Sequence, residues 1–306
     1  MTQSDPARPF GRLLTAMVTP FAADGSLDLD GAQTLASYLV DQQGNDGLVI
    51  SGTTGESPTT TDEEKDRLLR AVLEAVGDRA TVVAGVGTND TAHSVHLAQV
   101  AEKSGAHGAL VVTPYYSRPP QAGVVAHFRA VADATGLPVM LYDIPVRTGM
   151  AISLESMLQL AAHPRIVAVK DAKGDLDASA KVLAFTDLAY YSGDDKVTLP
   201  LLSIGAVGVV GVPTHLVGVR TKEMILAYER GDVAGALAVH RELLPAFDGF
   251  FRTQGVILTK AALGLVGLPA GPVRSPLVDA TPAQIEELRA DLVAAGVALP
   301  GDGASR

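Results

Sequence analysis

The stretch Ile166-Val-Ala-Val-Lys-Asp-Ala172, IVAVKDA, runs apolar for four residues and then meets a lysine. As a strand it alternates Ile166, Ala168 and Lys170 on one face with Val167, Val169 and Asp171 on the other. Apolar residues on both faces are the mark of a parallel sheet covered on both sides. The lysine is the anomaly, because an ammonium is almost never fully buried without a partner or a purpose. Taken alone, the heptapeptide leaves two readings open. Either the strand ends there and the charge reaches solvent, or the lysine is held inside for its chemistry.

Working outward, seven further strand-like runs share this pattern: LLTAMVTP (13–20), GLVISG (47–52), ATVVAGVG (80–87), GALVVTPYY (108–116), PVMLYDIP (138–145), LAYYSGDD (188–195) and GAVGVVGV (205–212). Between them lie amphipathic, alanine-rich segments such as DEEKDRLLRAVLEAVG (62–77) and TAHSVHLAQVAEKSG (91–105), the second ending in a glycine suited to a helix C-cap. Eight strand–helix units over about 230 residues predict a (β/α)8 TIM barrel. An open doubly wound sheet usually carries GxGxxG after its first strand, whereas here the first strand ends in TPF. The segments DVAGALAVHRELLPAF, QGVILTKAALGLVG and TPAQIEELRADLVAAG are three helices beyond the eightfold repeat. The expected organisation is a catalytic barrel over 1–230 and a helical C-terminal extension over 231–306, packed on the barrel or on a neighbouring subunit.

Composition limits the partners. The 306 residues are 47% hydrophobic, enough for a large core, and carry 34 Asp+Glu against 24 Lys+Arg. Without a basic run, neither nucleic acid nor an anionic membrane surface is an expected partner, which leaves small molecules. The chain has no cysteine, so disulfides, thiolate nucleophiles and Cys-ligated metals are excluded. This usage fits a reducing, cytoplasmic setting. His93 and His96 read as a surface pair rather than metal ligands, and no metal is expected. The N-terminal MTQSDPARPFGRLL lacks the apolar core of a signal peptide. Val197 to Val219 carries no Asp, Glu, Lys or Arg, but its prolines and glycines divide it into a short helix and a buried strand rather than a membrane span.

In a (β/α)8 barrel, residues distant in sequence meet at the C-terminal ends of the strands. That rule brings together Gly52-Thr-Thr-Gly-Glu-Ser57, Tyr115-Tyr116, Tyr142, Lys170 and Gly193-Asp-Asp195. A lysine desolvated in such a barrel has a lowered pKa and offers a free amine, which attacks ketones. With no thiol available, imine formation is the economical covalent chemistry. Losing water and then a proton, the imine needs a shuttle, and Tyr142 on the adjacent strand is suited to it. The plain alternative is a half-buried tyrosine bonded to backbone. Thr53 and Tyr116 either extend a hydroxyl chain from Tyr142 toward solvent or serve as ordinary strand-end residues. GTTGES lacks the ending of a nucleotide-binding loop and reads as a glycine-bounded turn that grips a small carboxylate, with Glu56 a structural partner of nearby backbone. Strand 8, GxxGxxG, lets its backbone approach a ligand and keeps a sugar-phosphate aldolase open.

Taken together, GTTGES, TPYYSRPPQ, YDIPVRTG, VAVKDA and YYSGDD resemble, in order and spacing along nearly the whole chain, the class I pyruvate-dependent lyases that include dihydrodipicolinate synthase and N-acetylneuraminate lyase. GTTGE and Arg147 are similar to the synthase branch. The resemblance implies condensation of pyruvate with L-aspartate 4-semialdehyde in diaminopimelate and lysine biosynthesis. No cofactor is implied beyond a covalent imine on Lys170, and the implied assembly is a homotetramer of two tight dimers. It also implies Tyr142 as general acid/base, linked through Thr53 to a Tyr116 that crosses into the neighbouring subunit. Thr54 would hold the pyruvate carboxylate with the Val210 backbone nearby, and Gly193 would border the substrate. Arg147 would receive the second substrate's carboxylate, against the simpler reading of a surface loop arginine. Val210 and Gly211 depart from the family's isoleucine and serine, so strand 8 contacts transfer least directly. At the positions where lysine-sensitive members bind the feedback inhibitor, this chain has Asp62, Lys65 and His93 beside the retained Asn89 and Tyr115, and weak inhibition by lysine is expected. The alternatives are a related pyruvate lyase acting on a sugar acid or another aldehyde, and a non-catalytic ligand-binding barrel.

Overall fold

Each of the eight runs contributes a strand. The computed structural model describes residues 7–300, so the first six residues of the N-terminal stretch and the last six of the C-terminal extension lie outside the described residues. The strands are β1 Leu13–Ala16, β2 Gly47–Ile50, β3 Thr81–Gly85, β4 Gly108–Val112, β5 Val139–Asp143, β6 Ile166–Asp171, β7 Ala189–Ser192 and β8 Gly208–Gly211. They pair in chain order, all parallel, and β8 returns to β1 to close the barrel. Closure leaves no sheet edge, so every strand is buried and the apolar runs need no polar face.

The helices are α1 Leu29–Asp41, α2 Asp62–Val76, α3 Thr91–Ser104, α4 Gln121–Asp133, α5 Pro145–Thr148, α6 Leu154–Ala161, α7 Leu176–Phe185, α8 Thr198–Leu202, α9 Thr214–Glu229, α10 Val233–Gly249, α11 Gly255–Leu265 and α12 Pro282–Ala294. Local chemistry fixes their ends. Thr61 and Glu64 form a reciprocal capping box at the start of α2, and Gly105 closes α3 in the left-handed region at φ 92°. The long uncharged segment resolves into α8, β8 and the start of α9, and no helix among the described residues is long and apolar enough to cross a membrane.

Two layers of core follow from strand alternation. Val209 and Leu13 face outward and pack with Met224 of α9 and Phe247 of α10, while Val210 alternates to the barrel interior. Phe10 closes the barrel floor: its backbone N–H donates to the Tyr191 hydroxyl at 3.3 Å, and a Cβ on Gly108 would lie 2.5 Å from its ring. With the bottom plugged, polar side chains are left to the upper end. Helices α10 and α11 pack against α9, α12 packs against α10 and α11, and the segment between α11 and α12 returns to the upper rim of the barrel.

Candidate active site

Register sets the centre of the site. Lys170 pairs with Tyr142 on β5 and with Tyr191 on β7, so all three stand at one level of the barrel. Lys170 is 5% exposed, and its Nζ lies 4.3 Å from the centroid of the Tyr142 ring. The ammonium does not reach solvent. Burial is the main cause that lowers its pKa, to about 8; the Asp195 carboxylate works against the shift and the Arg147 guanidinium adds to it. Tyr142 moves the other way: burial pushes its phenol up to about 12, while Arg147 and the neighbouring Thr53 hydroxyl hold it down. A lysine that yields its free amine far more readily than an exposed one and a firmly protonated phenol therefore share one apolar chamber.

Above this pair opens a cleft of about 500 Å³, lined by Thr53, Tyr115, Tyr116, Tyr142 and Arg147 among others. Arg147 sits on the single-turn helix α5, exposed at the mouth, and its guanidinium has no ion-pair partner among the described residues. Thr54 is buried in the turn after β2, and Thr19 Oγ1 donates to the carbonyl of the adjoining Gly55 at 2.6 Å. Gly193 follows β7 and packs directly on the lysine: a Cβ there would lie 3.1 Å from Lys170 Cγ and 3.1 Å from the Asp171 carbonyl. Val210 is buried in the barrel wall in register with Leu14 and is not part of the cleft lining.

Tyr116 lines the cleft but stands apart from the Tyr142–Thr53 pair. It follows β4 in a loop, holds φ 70°, and is 90% exposed. A bulky aromatic residue in the left-handed region is a backbone outlier, costing about 1–3 kcal/mol. Within one chain its hydroxyl has no hydrogen-bond partner among the described residues, so the Tyr142–Thr53 pair is brought together and Tyr116 is not joined to it.

Three residues that the sequence reading left without a role belong to this region. Asp195, 1% exposed, accepts from the Val212 N–H at 3.2 Å through Oδ2, while its Oδ1 has no hydrogen-bond partner. Burial raises its pKa to about 7 and Lys170 lowers it, so the two are electrostatic partners. Gly211 is required beside it, because a Cβ would lie 2.3 Å from Asp195 Oδ1. Lys260 and Arg274 reach the rim from the C-terminal extension. The signal for Lys260 was present: a single lysine within VILTKAAL invites the question that Lys170 raised within IVAVKDA. Glu56 does partner backbone, but that of Arg274, far along the chain, at 2.8 Å.

On the far side of α2, His93 Nε2 pairs with Asp62 at 2.9 Å, and Lys65 Nζ donates to the Thr60 carbonyl. The position therefore does contain a carboxylate, already engaged by the histidine. No group of three or more His, Asp or Glu among the described residues is arranged to hold a metal ion.

Comparison with known proteins bears on what such a site is for. The model of the dihydrodipicolinate synthetase family matches residues 9–295. A 4-hydroxy-tetrahydrodipicolinate synthase from Acidothermus cellulolyticus is 75% identical over 304 residues, covering 99% of this chain and 98% of the relative. A 4-hydroxy-tetrahydrodipicolinate synthase from Streptomyces coelicolor is 62% identical, covering 97% and 99%. Among solved structures, that of the dihydrodipicolinate synthase from Cyanidioschyzon merolae with lysine bound superimposes with a TM-score of 0.93 at 42% identity, over 95% of this chain and 99% of the other.

Proposed function

Because this chain belongs to the dihydrodipicolinate synthetase family, we propose that its barrel performs the reaction for which its relatives are named, with the roles divided among the residues described above. It is a lyase that makes 4-hydroxy-tetrahydrodipicolinate from pyruvate and L-aspartate 4-semialdehyde, in diaminopimelate and lysine biosynthesis. The observation that carries this reading is the buried Lys170 amine against the Tyr142 ring.

Lys170 Nζ attacks the pyruvate ketone carbon. Tyr142 gives its proton to the departing hydroxyl, so water leaves and the imine forms. The Tyr142 phenolate left behind takes a methyl proton, giving the enamine; its carbon bonds to the aldehyde carbon of the semialdehyde, and Tyr142 returns the proton to the aldehyde oxygen. The amino group of that substrate then attacks the imine carbon, releasing Lys170 and closing the ring. Thr54 and the amides of its turn hold the pyruvate carboxylate, Gly193 leaves room beside the lysine, and Val210 contributes backbone from β8. Arg147 offers an unpaired, planar two-pronged donor to the carboxylate of the second substrate. The imine makes an external cofactor unnecessary, and the enzyme works in the cytoplasm. A coupled assay decides the activity. Turnover is expected with pyruvate and L-aspartate semialdehyde but not with N-acetylneuraminate or 2-keto-3-deoxygluconate; preference for either sugar acid overturns the assignment. Run across a lysine titration, the same assay tests feedback. Lysine is bound in the Cyanidioschyzon relative, yet here Asp62 is paired with His93 and Lys65 adds a like charge, so half-inhibition is expected only above about 1 mM, the range of weak binding.

The solvent-facing Tyr116 supports a relay completed between subunits, in a homotetramer built from two tight dimers. Mixing inactive Lys170→Ala and Tyr116→Phe subunits should restore activity, since a hybrid dimer holds one site with both residues intact. If subunit exchange is verified and activity stays absent, each site is self-contained.

A further inference from the structure

The GTTGES turn is gripped from outside the barrel. At its end, Glu56 Oε1 lies 2.7 Å from Lys260 Nζ of α11, with the two side chains 1% and 3% exposed. Lys260 also donates to the Pro272 carbonyl at 2.7 Å, and Glu56 Oε2 accepts the Arg274 backbone N–H at 2.8 Å. The Arg274 guanidinium continues the grip, donating to the carbonyls of Thr59 and Gly25, at 2.8 Å each, and to Glu64 in the first turn of α2, at 2.6 Å. Both cations lie over one ring: Lys260 Nζ and Arg274 Cζ are 4.2 Å and 4.1 Å from the centroid of Phe21.

What this assembly holds is a turn that would not rest there by itself. Its backbone is left-handed at two non-glycine residues, Ser51 with φ 53° and Glu56 with φ 55°. Such residues keep that conformation only where their surroundings over-determine it. Thr53 and Thr54 lie between these two points. A buried ion pair is an inefficient source of stability, since apolar residues of like volume do as well or better, but it fixes geometry and is disruptive to halve.

We propose that Glu56, Lys260 and Arg274 are positioning residues of the pyruvate site, through which the C-terminal extension sets where Thr53 and Thr54 stand. The inference rests on the reading of those two threonines given above. It separates the charged pair, which acts on the pyruvate end of the cleft, from Pro276 and Leu277, which line the cleft just beyond Arg274.

The test uses the full-length enzyme with Lys260→Met, Glu56→Gln and the double variant, beside Thr53→Val and Thr54→Ala. Pyruvate KM, semialdehyde KM, kcat and Tm are measured, all kinetics well below the lowest Tm. Each clamp variant is expected to raise pyruvate KM at least tenfold and to change semialdehyde KM less than twofold. The double variant, with no charge left unpaired, is expected to regain Tm while keeping the raised pyruvate KM. A lowered Tm with pyruvate KM within twofold of wild type, or a KM that returns with Tm in the double variant, makes the clamp a brace only and overturns the proposal. Should Lys260→Met fail to fold, the near-isosteric Glu56→Gln decides by the same criterion. Unchanged kinetics in the threonine variants overturn the reading of the turn, and the clamp proposal with it. Impaired threonine variants beside unimpaired clamp variants overturn the clamp alone.

Discussion

Lys170→Arg is expected to abolish reductive trapping of pyruvate and to lower kcat/KM by four orders of magnitude or more, about 5.5 kcal/mol of lost transition-state stabilisation. The guanidinium stays protonated and cannot form the imine. In the wild-type enzyme, borohydride with pyruvate should leave one reduced three-carbon adduct, on Lys170; mass spectrometry of the peptides checks this, and a label on any other lysine refutes the assignment. The pH dependence follows from the same group. The attacking form is the amine and burial holds Lys170 near 8, so kcat/KM for pyruvate should rise tenfold per pH unit below about 8 and level off above it. Stability should move in the same direction. The folded state resists protonating Lys170 while the unfolded chain protonates it at its ordinary value of 10.5, so burying the lysine costs stability below pH 8 and the cost fades as pH rises toward 10.5. The full cost is about 3 kcal/mol at 1.36 kcal/mol per decade. Lys170→Met should accordingly be inactive yet more stable at pH 7 than the wild type, a difference that urea denaturation can read.

Tyr142→Phe should keep the fold and lower kcat by about 10²- to 10⁴-fold, the range for loss of a positioned proton-transfer group. The ring that packs over Lys170 remains, so binding of pyruvate should change little. What disappears is the proton for the departing hydroxyl. With its phenol pushed up to about 12, Tyr142 remains protonated across the usable range, and no falling limb from it is expected below about pH 10 in the wild-type profile. Single-turnover kinetics should place the loss in imine formation. If kcat falls less than tenfold, water or another residue carries the proton and the hydroxyl chain from Thr53 has a different purpose.

How much of this was legible beforehand differs from residue to residue. The anomaly of Lys170 was visible in seven letters, an ammonium in an apolar run, but those letters left open whether the charge reaches solvent, and its burial is what the folded chain decides. Tyr142 was legible once the barrel was inferred, since the eightfold repeat puts it on the next strand. The role of Arg147 came from resemblance; its unpaired exposure is a property of α5 at the cleft mouth, which no spacing reveals. Asp195 was quoted as part of a motif but had no role, because its coupling to Lys170 and its bond to Val212 depend on β7 and β8 lying side by side. The Glu56–Lys260 pair joins residues on opposite sides of the repeat, and only folding brings them together.

Read without coordinates, the sequence already carries the barrel, the number and order of its strands, the helices beyond them, and the lysine proposed as the nucleophile. These follow from local rules: strand and helix periodicity, capping residues, and the cost of a charge in an apolar run. Tertiary structure alone decided that Lys170 stands level with Tyr142, that the buried Asp195 is coupled to its charge, that Tyr116 stays exposed to solvent at the cleft, and that the C-terminal segment grips the turn carrying Thr53 and Thr54. The reason is that register, burial and distance are properties of pairs of segments, and the free energy of a contact is spent or gained only when the chain has closed the loop between them.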